Sequence, residues 1–203
     1  MGKKIVSFLV SGRGAIFSAV AKNIISGNIN AKIGAVISNK KDAGVHKIAS
    51  DLGVKSYFLP PGDYKSREEH EHEMVKLLKK HSTDLVIAAG YMRLLTPYFV
   101  KKYRNRIINI HPSLLPAFPG KSAQEKAFDY GVKITGCTSH FIDEGIDTGP
   151  IILQAVVPVY GDDTLASMST RIIKKEYEVL SESVKLFCEN RLVIKNNRVI
   201  IKE

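Results

Sequence analysis

The chain has 203 residues, 44% of them hydrophobic, enough to bury one substantial core, and a single domain is expected. Its apolar runs fall far short of the roughly 20 residues that span a bilayer, so no membrane role is expected. The formal net charge of +10 favours anionic partners, yet the basic residues are scattered as Lys40-Lys41, Lys79-Lys80, Lys101-Lys102 and Lys174-Lys175 without a nucleic-acid motif. The expected partners are therefore small molecules, not nucleic acid.

Residues 5–10 form an apolar run suited to a buried strand, followed by a turn at Gly12 and Gly14. Ile16-Phe17, Val20-Ala21 and Ile24-Ile25 have helical spacing and stop near Gly27. A second strand is expected over 31–37, a helix over 45–52, and a short strand over 55–59 that ends at Pro60-Pro61-Gly62. Residues 67–81 predict an exposed helix with Met74, Leu77 and Leu78 inward and His70, His72 and His81 outward; His46 is likewise expected on the surface. A strand over 84–89, a helix over 97–103 and a strand over 106–110 complete a repeated strand-helix alternation. That alternation means an α/β sheet, mostly parallel, with helices on both faces. Its ligand site belongs at the carboxyl ends of the strands, where Gly12-Gly14, Gly90 and Asn109-His111 all fall.

In the second half, a helix is expected over 123–130, extended segments over 133–142 and 151–159, and a long helix over 164–189. Asn196-Asn197 predicts the turn of a small terminal hairpin. Residues 1–110 are expected to serve phosphate or nucleotide binding, and residues 111–203 to hold the rest of the site.

Asn109 and His111 stand out at the end of a strand, just before a loop fixed by Pro112 and Pro116. Two residues apart in an extended chain, they share a face. An Asn amide can donate to a developing oxyanion, and a His can carry a proton near neutral pH. Asp147 lies in the polar connection 143–150. It is either a turn residue like Asp143 and Glu144 or the carboxylate that orients His111. Glu176 sits on the apolar stripe Leu165, Met168, Ile172, Leu180, Val184, Phe187 of the long helix, where a carboxylate needs either an internal partner or a ligand.

Gly12-Arg13-Gly14 lacks the third glycine of a dinucleotide fingerprint, because Phe17 occupies its place. A phosphate on loop amides and the first helix terminus fits better, with Arg13 to neutralise it. Met92, Arg93, Leu94 and Leu95 either pack beneath the next helix or wall a pocket for a flat ligand. His140 is placed to support the centre. No metal is expected, and Cys137 and Cys188 form no metal spacing and call for no disulfide, which suits the cytoplasm.

Residues 10–14, 89–95, Asn109-Ile110-His111-Pro112-Ser113-Leu114-Leu115-Pro116, 136–141, 147–154 and Glu176 together resemble the folate-dependent formyltransferases. Within that group the likeness is greatest to the family that formylates glycinamide ribonucleotide in purine biosynthesis. The resemblance covers nearly the whole chain. It implies a Rossmann-like formyltransferase domain, 10-formyltetrahydrofolate as cosubstrate, and Asn109, His111 and Asp147 as the catalytic three. It further implies a phosphate loop at Gly12, Arg13, Gly14, Ala15 and Ile16, and an acceptor contact at Glu176. Folate contacts are implied at Arg67, Met92, Arg93, Leu94, Leu95, Ile142, Asp143 and Glu144, with His140 and Gly120 in support. A monomer or homodimer is expected.

Three positions depart from that family's pattern. Ala15-Ile16 replace a Ser-Asn pair, Lys121-Ser122 replace Leu-His, and Tyr177 follows Glu176 in place of His. All lie toward the amine substrate, which leaves open a formyltransferase acting on an amino sugar nucleotide. A noncatalytic folate- or nucleotide-binding module is the alternative from another class.

Overall fold

The computed structural model describes residues 2–203 and divides into two compact units, the first ending at Ile108 and the second running from Asn109 to Glu203. In the first unit the chain runs β1 (Lys4–Leu9), α1 (Ala15–Ile25), β2 (Ala31–Ser38), α2 (Val45–Asp51) and β3 (Ser56–Phe58). A single 3-10 turn at Pro61–Asp63 leads into α3 (Arg67–Lys80), β4 (Leu85–Ile87), α4 (Pro97–Lys102) and the first two residues of β5 (Ile107–His111), whose remainder opens the second unit. The strands lie in the order β3-β2-β1-β4-β5 and every pairing is parallel. This is the mostly parallel α/β sheet that the alternation implied.

Because β1 and β4 are neighbours, the segments leaving their carboxyl ends come together: the Ser11 N–H donates to the Gly90 carbonyl at 3.0 Å. Gly14 ends the turn after β1 at φ 83°, and a Cβ there would lie 2.7 Å from Val45 Cγ2. Backbone conformation and space both require glycine.

α3 is capped by Ser66, whose hydroxyl accepts from the Glu69 N–H at 3.0 Å, with Glu68 and Glu69 in the first turn and Lys79 and Lys80 in the last. Its inner face is wider than the apolar spacing suggested. Met74, Val75 and Leu78 are buried as hydrophobic spacing requires, but so are His70 and Glu71, while Leu77 is only half-buried. The expectation of exposed histidines therefore fails at His70, which is 1% exposed, and His46 and His81 are half-buried; His72 alone of the four is exposed. Each misread ring has a partner: His70 Nε2 donates to the Leu59 carbonyl at 3.1 Å, His46 meets Ser56, and His81 meets the Tyr57 hydroxyl.

In the second unit, α5 (Ala123–Tyr130) precedes β6 (Ile134–Phe141) and β7 (Ile151–Pro158), which pair antiparallel. α6 (Leu165–Cys188) packs on both strands, and β8 (Leu192–Lys195) with β9 (Arg198–Ile201) forms the terminal hairpin. Thr164 and Ser167 build a reciprocal capping box at the start of α6. Its buried stripe includes Met168, Ile172, Glu176, Val179, Leu180, Ser183, Val184 and Leu186. Leu165 and Phe187, expected on that stripe, are half-buried; the buried residue in the last turn is Leu186. The tight approach of the 143–150 connection to β6 depends on Gly149, where a Cβ would stand 1.9 Å from the Phe141 carbonyl oxygen.

Candidate active site

β5 runs one residue further than its apolar pattern, so Asn109 and His111 are both extended and alternate correctly to share a face. His111 is buried and Asn109 half-buried. Asp147 arrives from the β6–β7 connection at φ 55°, a left-handed conformation that turns its carboxylate back toward β5's end. His111 Nδ1 lies 3.2 Å from Asp147 Oδ2, and the Gly120 N–H donates to the same oxygen at 2.8 Å. The structure thus brings together the three residues that sequence singled out, and Asp147 faces His111 instead of closing a turn. Asp143 does close one: its Oδ1 accepts from the Gly145 N–H and the Thr148 hydroxyl.

His140 ties the group together. Its Nδ1 is 3.0 Å from the Phe141 carbonyl, which can only accept, so Nδ1 carries the hydrogen. Burial lowers its pKa, outweighing the Phe141 hydrogen bond and Asp147, and keeps the ring neutral. Nε2 is then a bare acceptor for the Asn109 amide, 3.3 Å away, while Asp147 Oδ1 lies at 3.6 Å. Asn109 is thereby oriented with its second N–H unspent. Asp147 Oδ2 is engaged twice, and Oδ1 remains open to take a proton.

Residue types alone did not reveal the loop that supports this arrangement. The Phe118 carbonyl accepts from His111 Nε2 at 2.9 Å, and Phe118 reaches that position at φ 51°. Thr138 Oγ1 donates to the Ser113 carbonyl at 2.7 Å and accepts from the Leu115 N–H at 3.0 Å; Gln154 adds a bond to the Leu115 carbonyl. The only advance signal was the density of prolines between Pro112 and Pro119, which promised a fixed loop but not its backbone contacts.

A cavity of about 470 Å³ in this unit is walled by Leu115, Pro116, Pro119, Ile146, Asp147 and Thr148, with Asn197 and Arg198 of the terminal hairpin. That volume falls in the range of small-molecule sites. Sequence assigned the hairpin no place near Asp147. Glu176, 8% exposed on α6, has no hydrogen-bond or ion-pair partner among the described residues, and burial raises its pKa to about 7. Burial, and then Glu176, push the Cys137 thiol up to about 12, so it is no nucleophile near neutral pH.

The phosphate-loop and folate-loop candidates lie in the first unit. α1 starts at Ala15 behind Gly14, with no side-chain cap and no acidic residue in its first turn, so no side chain claims its leading amides. Arg13 is exposed beside them. In the segment after β4, Met92 is 75% and Leu94 58% exposed, so neither side chain packs beneath α4. Arg67 is exposed, and Arg93 and Leu95 are half-buried. Ile142 and Asp143 are half-buried and Glu144 exposed in the second unit. Among the described residues, no three His, Cys, Asp or Glu side chains are grouped to hold a metal ion, and no helix is long and apolar enough to cross a membrane.

The family model described as Formyl transferase matches residues 3–184. Phosphoribosylglycinamide formyltransferase of Bacillus subtilis (strain 168) is 39% identical over 176 residues, covering 87% of this chain and 90% of that protein. The trifunctional purine biosynthetic protein adenosine-3 of Drosophila melanogaster is 42% identical over 177 residues, but the chain spans only 13% of its length. The crystal structure of glycinamide ribonucleotide transformylase 1 from Symbiobacterium toebii superimposes with a TM-score of 0.97 at 41% identity, covering 99% of this chain and 95% of that one.

Proposed function

The chain belongs to the formyl transferase family, and from that premise we propose that it transfers the formyl group of 10-formyltetrahydrofolate to the amine of glycinamide ribonucleotide, a step of purine biosynthesis. The observation that carries this reading is the Asn109–His111–Asp147 cluster, with Asp147 Oδ2 held at 3.2 Å from His111 and Oδ1 left open. The substrate class follows the relatives, which are similar along almost the whole chain.

The residues act in a defined order. The neutral amine bonds to the formyl carbon, and charge develops on the formyl oxygen. Asn109 donates its unspent N–H to that oxygen, and His111 donates from Nε2, exchanging the Phe118 carbonyl for the stronger acceptor. Asp147 Oδ1 takes the proton that the amine loses and delivers it to N10 as the C–N10 bond breaks. The formylated amine and tetrahydrofolate leave, and no covalent enzyme intermediate is needed.

Upstream, Gly12 to Ile16 and Arg13 hold the ribonucleotide phosphate through the open amides of α1. Glu176, raised to about 7 and without a partner, receives a hydroxyl or the ammonium form of the acceptor. Met92, Arg93, Leu94 and Leu95, with Arg67, Ile142, Asp143 and Glu144, bind the reduced folate; His140 and Gly120 support the centre. The enzyme works as a monomer or homodimer in the cytoplasm.

An amino sugar nucleotide is the second acceptor to test, because Ala15 and Ile16 give the phosphate loop no polar side chains. The deciding experiment incubates the protein with 10-formyltetrahydrofolate and glycinamide ribonucleotide, following tetrahydrofolate and the formylated product. Acceptor-dependent product that collapses in Asp147→Asn supports the reading. Folded protein that turns over only an amino sugar nucleotide, or nothing, overturns it.

A further inference from the structure

In the first unit, one side chain joins the loop after β1 to the loop after β4. Ser11 is 3% exposed and immediately precedes Gly12. Its N–H donates to the Gly90 carbonyl at 3.0 Å, and its hydroxyl oxygen accepts from the Met92 N–H at 2.9 Å. The hydroxyl hydrogen goes to Asn39 Oδ1, 2.6 Å away at the end of β2. The acceptor role toward Met92 and the donor role toward Asn39 leave the hydroxyl no freedom to rotate.

The far end of the second loop is fixed independently. Glu71, 2% exposed on α3, accepts from the Thr96 N–H at 3.0 and 3.2 Å and also from the Thr96 hydroxyl. Between these anchors Met92 and Leu94 project into solvent. The segment therefore has a fixed far end, and its near end is tied to Ser11 through the Met92 N–H, with Tyr91 beside it held to the Ala88 carbonyl and to Met74 Sδ.

We propose that Ser11 is a positioning residue that couples occupancy of the phosphate loop to occupancy of the loop 92–95. This rests on the reading that the two loops take the acceptor's phosphate and the reduced folate. An anion drawn onto the amides of residues 12–16 settles the backbone next to Ser11, and the hydroxyl passes that placement to the Met92 N–H. Folate settling on Met92 and Leu94 acts in reverse, since coupling between two sites is reciprocal. One such hydrogen bond changes an equilibrium by roughly 3- to 10-fold.

The test is a linkage measurement. Glycinamide ribonucleotide is titrated calorimetrically into the free protein and into protein saturated with tetrahydrofolate, which has no formyl group to transfer. The ratio of the two Kd values is the coupling factor, and the reverse titration must return the same factor. The wild-type ratio is expected at about fivefold or more, and Ser11→Ala should remove most of that factor and bring the ratio close to unity. Asn39→Ala removes only the acceptor that orients the hydroxyl and should lower the ratio in the same direction; it carries the test if Ser11→Ala does not fold. A side chain that merely braced the loops would weaken each ligand and leave the ratio unchanged, and that result overturns the proposal. So does wild-type protein that formylates the ribonucleotide with a ratio of one, which leaves the proposed function standing. Wild-type protein that binds neither ligand overturns both.

Discussion

The end of β5 and the end of β1 are built on opposite terms. In the second unit, Asn109, His111, His140 and Asp147 are bonded to one another or to the carbonyls of Phe118 and Phe141, with one N–H and one carboxylate oxygen left to spare. In the first unit, α1 begins with unclaimed amides, and Met92 and Leu94 stand in solvent. Chemistry needs atoms fixed before the substrate arrives, because reorganising them during the reaction would add to the barrier. Binding needs groups that gain by the ligand's arrival, so they are left unsatisfied beforehand.

Substitutions at the two ends should separate these roles. The largest effect is expected for Asp147→Asn, which keeps the shape but cannot take the amine proton. Turnover with 10-formyltetrahydrofolate and glycinamide ribonucleotide should fall between about a hundredfold and ten-thousandfold, with the KM for folate little changed. Equal losses in kcat and in folate affinity would erase the contrast between the two ends.

Next is Glu176→Gln, where pH supplies the control. Burial raises the Glu176 pKa from 4.5 to about 7, so the folded protein binds a proton that the unfolded chain releases over that interval. Stability therefore falls as pH rises from about 4.5 through 7, and the penalty is complete above it, at about 3 kcal/mol. The Gln variant should melt higher than wild type at pH 8 and equally at pH 4.5. An equal gain at both pH values would show that charge burial is not the cause.

Gly14→Ala places a Cβ against Val45 at φ 83° and should cost about 1–3 kcal/mol in chemical denaturation. Smallest is Leu94→Ser. Its side chain is already exposed, so stability should stay within about 0.5 kcal/mol while the KM for folate rises several-fold. A melting shift as large as that of Gly14→Ala would mean that Leu94 serves packing.

Most of this was legible in the sequence, because strands and helices of the α/β alternation announce themselves by period. The expected boundaries at 31–37 and 123–130 lie within one residue of β2 and α5. The misreading at the start of α3 has a plain cause. The run Arg67-Glu68-Glu69-His70-Glu71 is polar throughout, and nothing in it distinguishes a carboxylate bound to Thr96 from one in water. Within the site, side chains were readable and backbone was not. Any residue could supply the Phe118 carbonyl or the Gly120 N–H, so their positions follow only from the fold of the loop. Asp143 and Asp147 differ in sequence by position alone, and the left-handed turn at Asp147 gives them different work.

Asn109, His111, His140 and Asp147 all fall on one continuous stretch of chain, cross-bonded within itself through Ser113, Leu115, Thr138 and Gln154. Such a stretch is portable. Substitution can exchange the phosphate loop that we propose chooses the acceptor, as at Ala15 and Ile16, without disturbing these atoms. Drift in acceptor preference is therefore cheap in this architecture, whereas loss of the reaction itself requires a change inside the stretch.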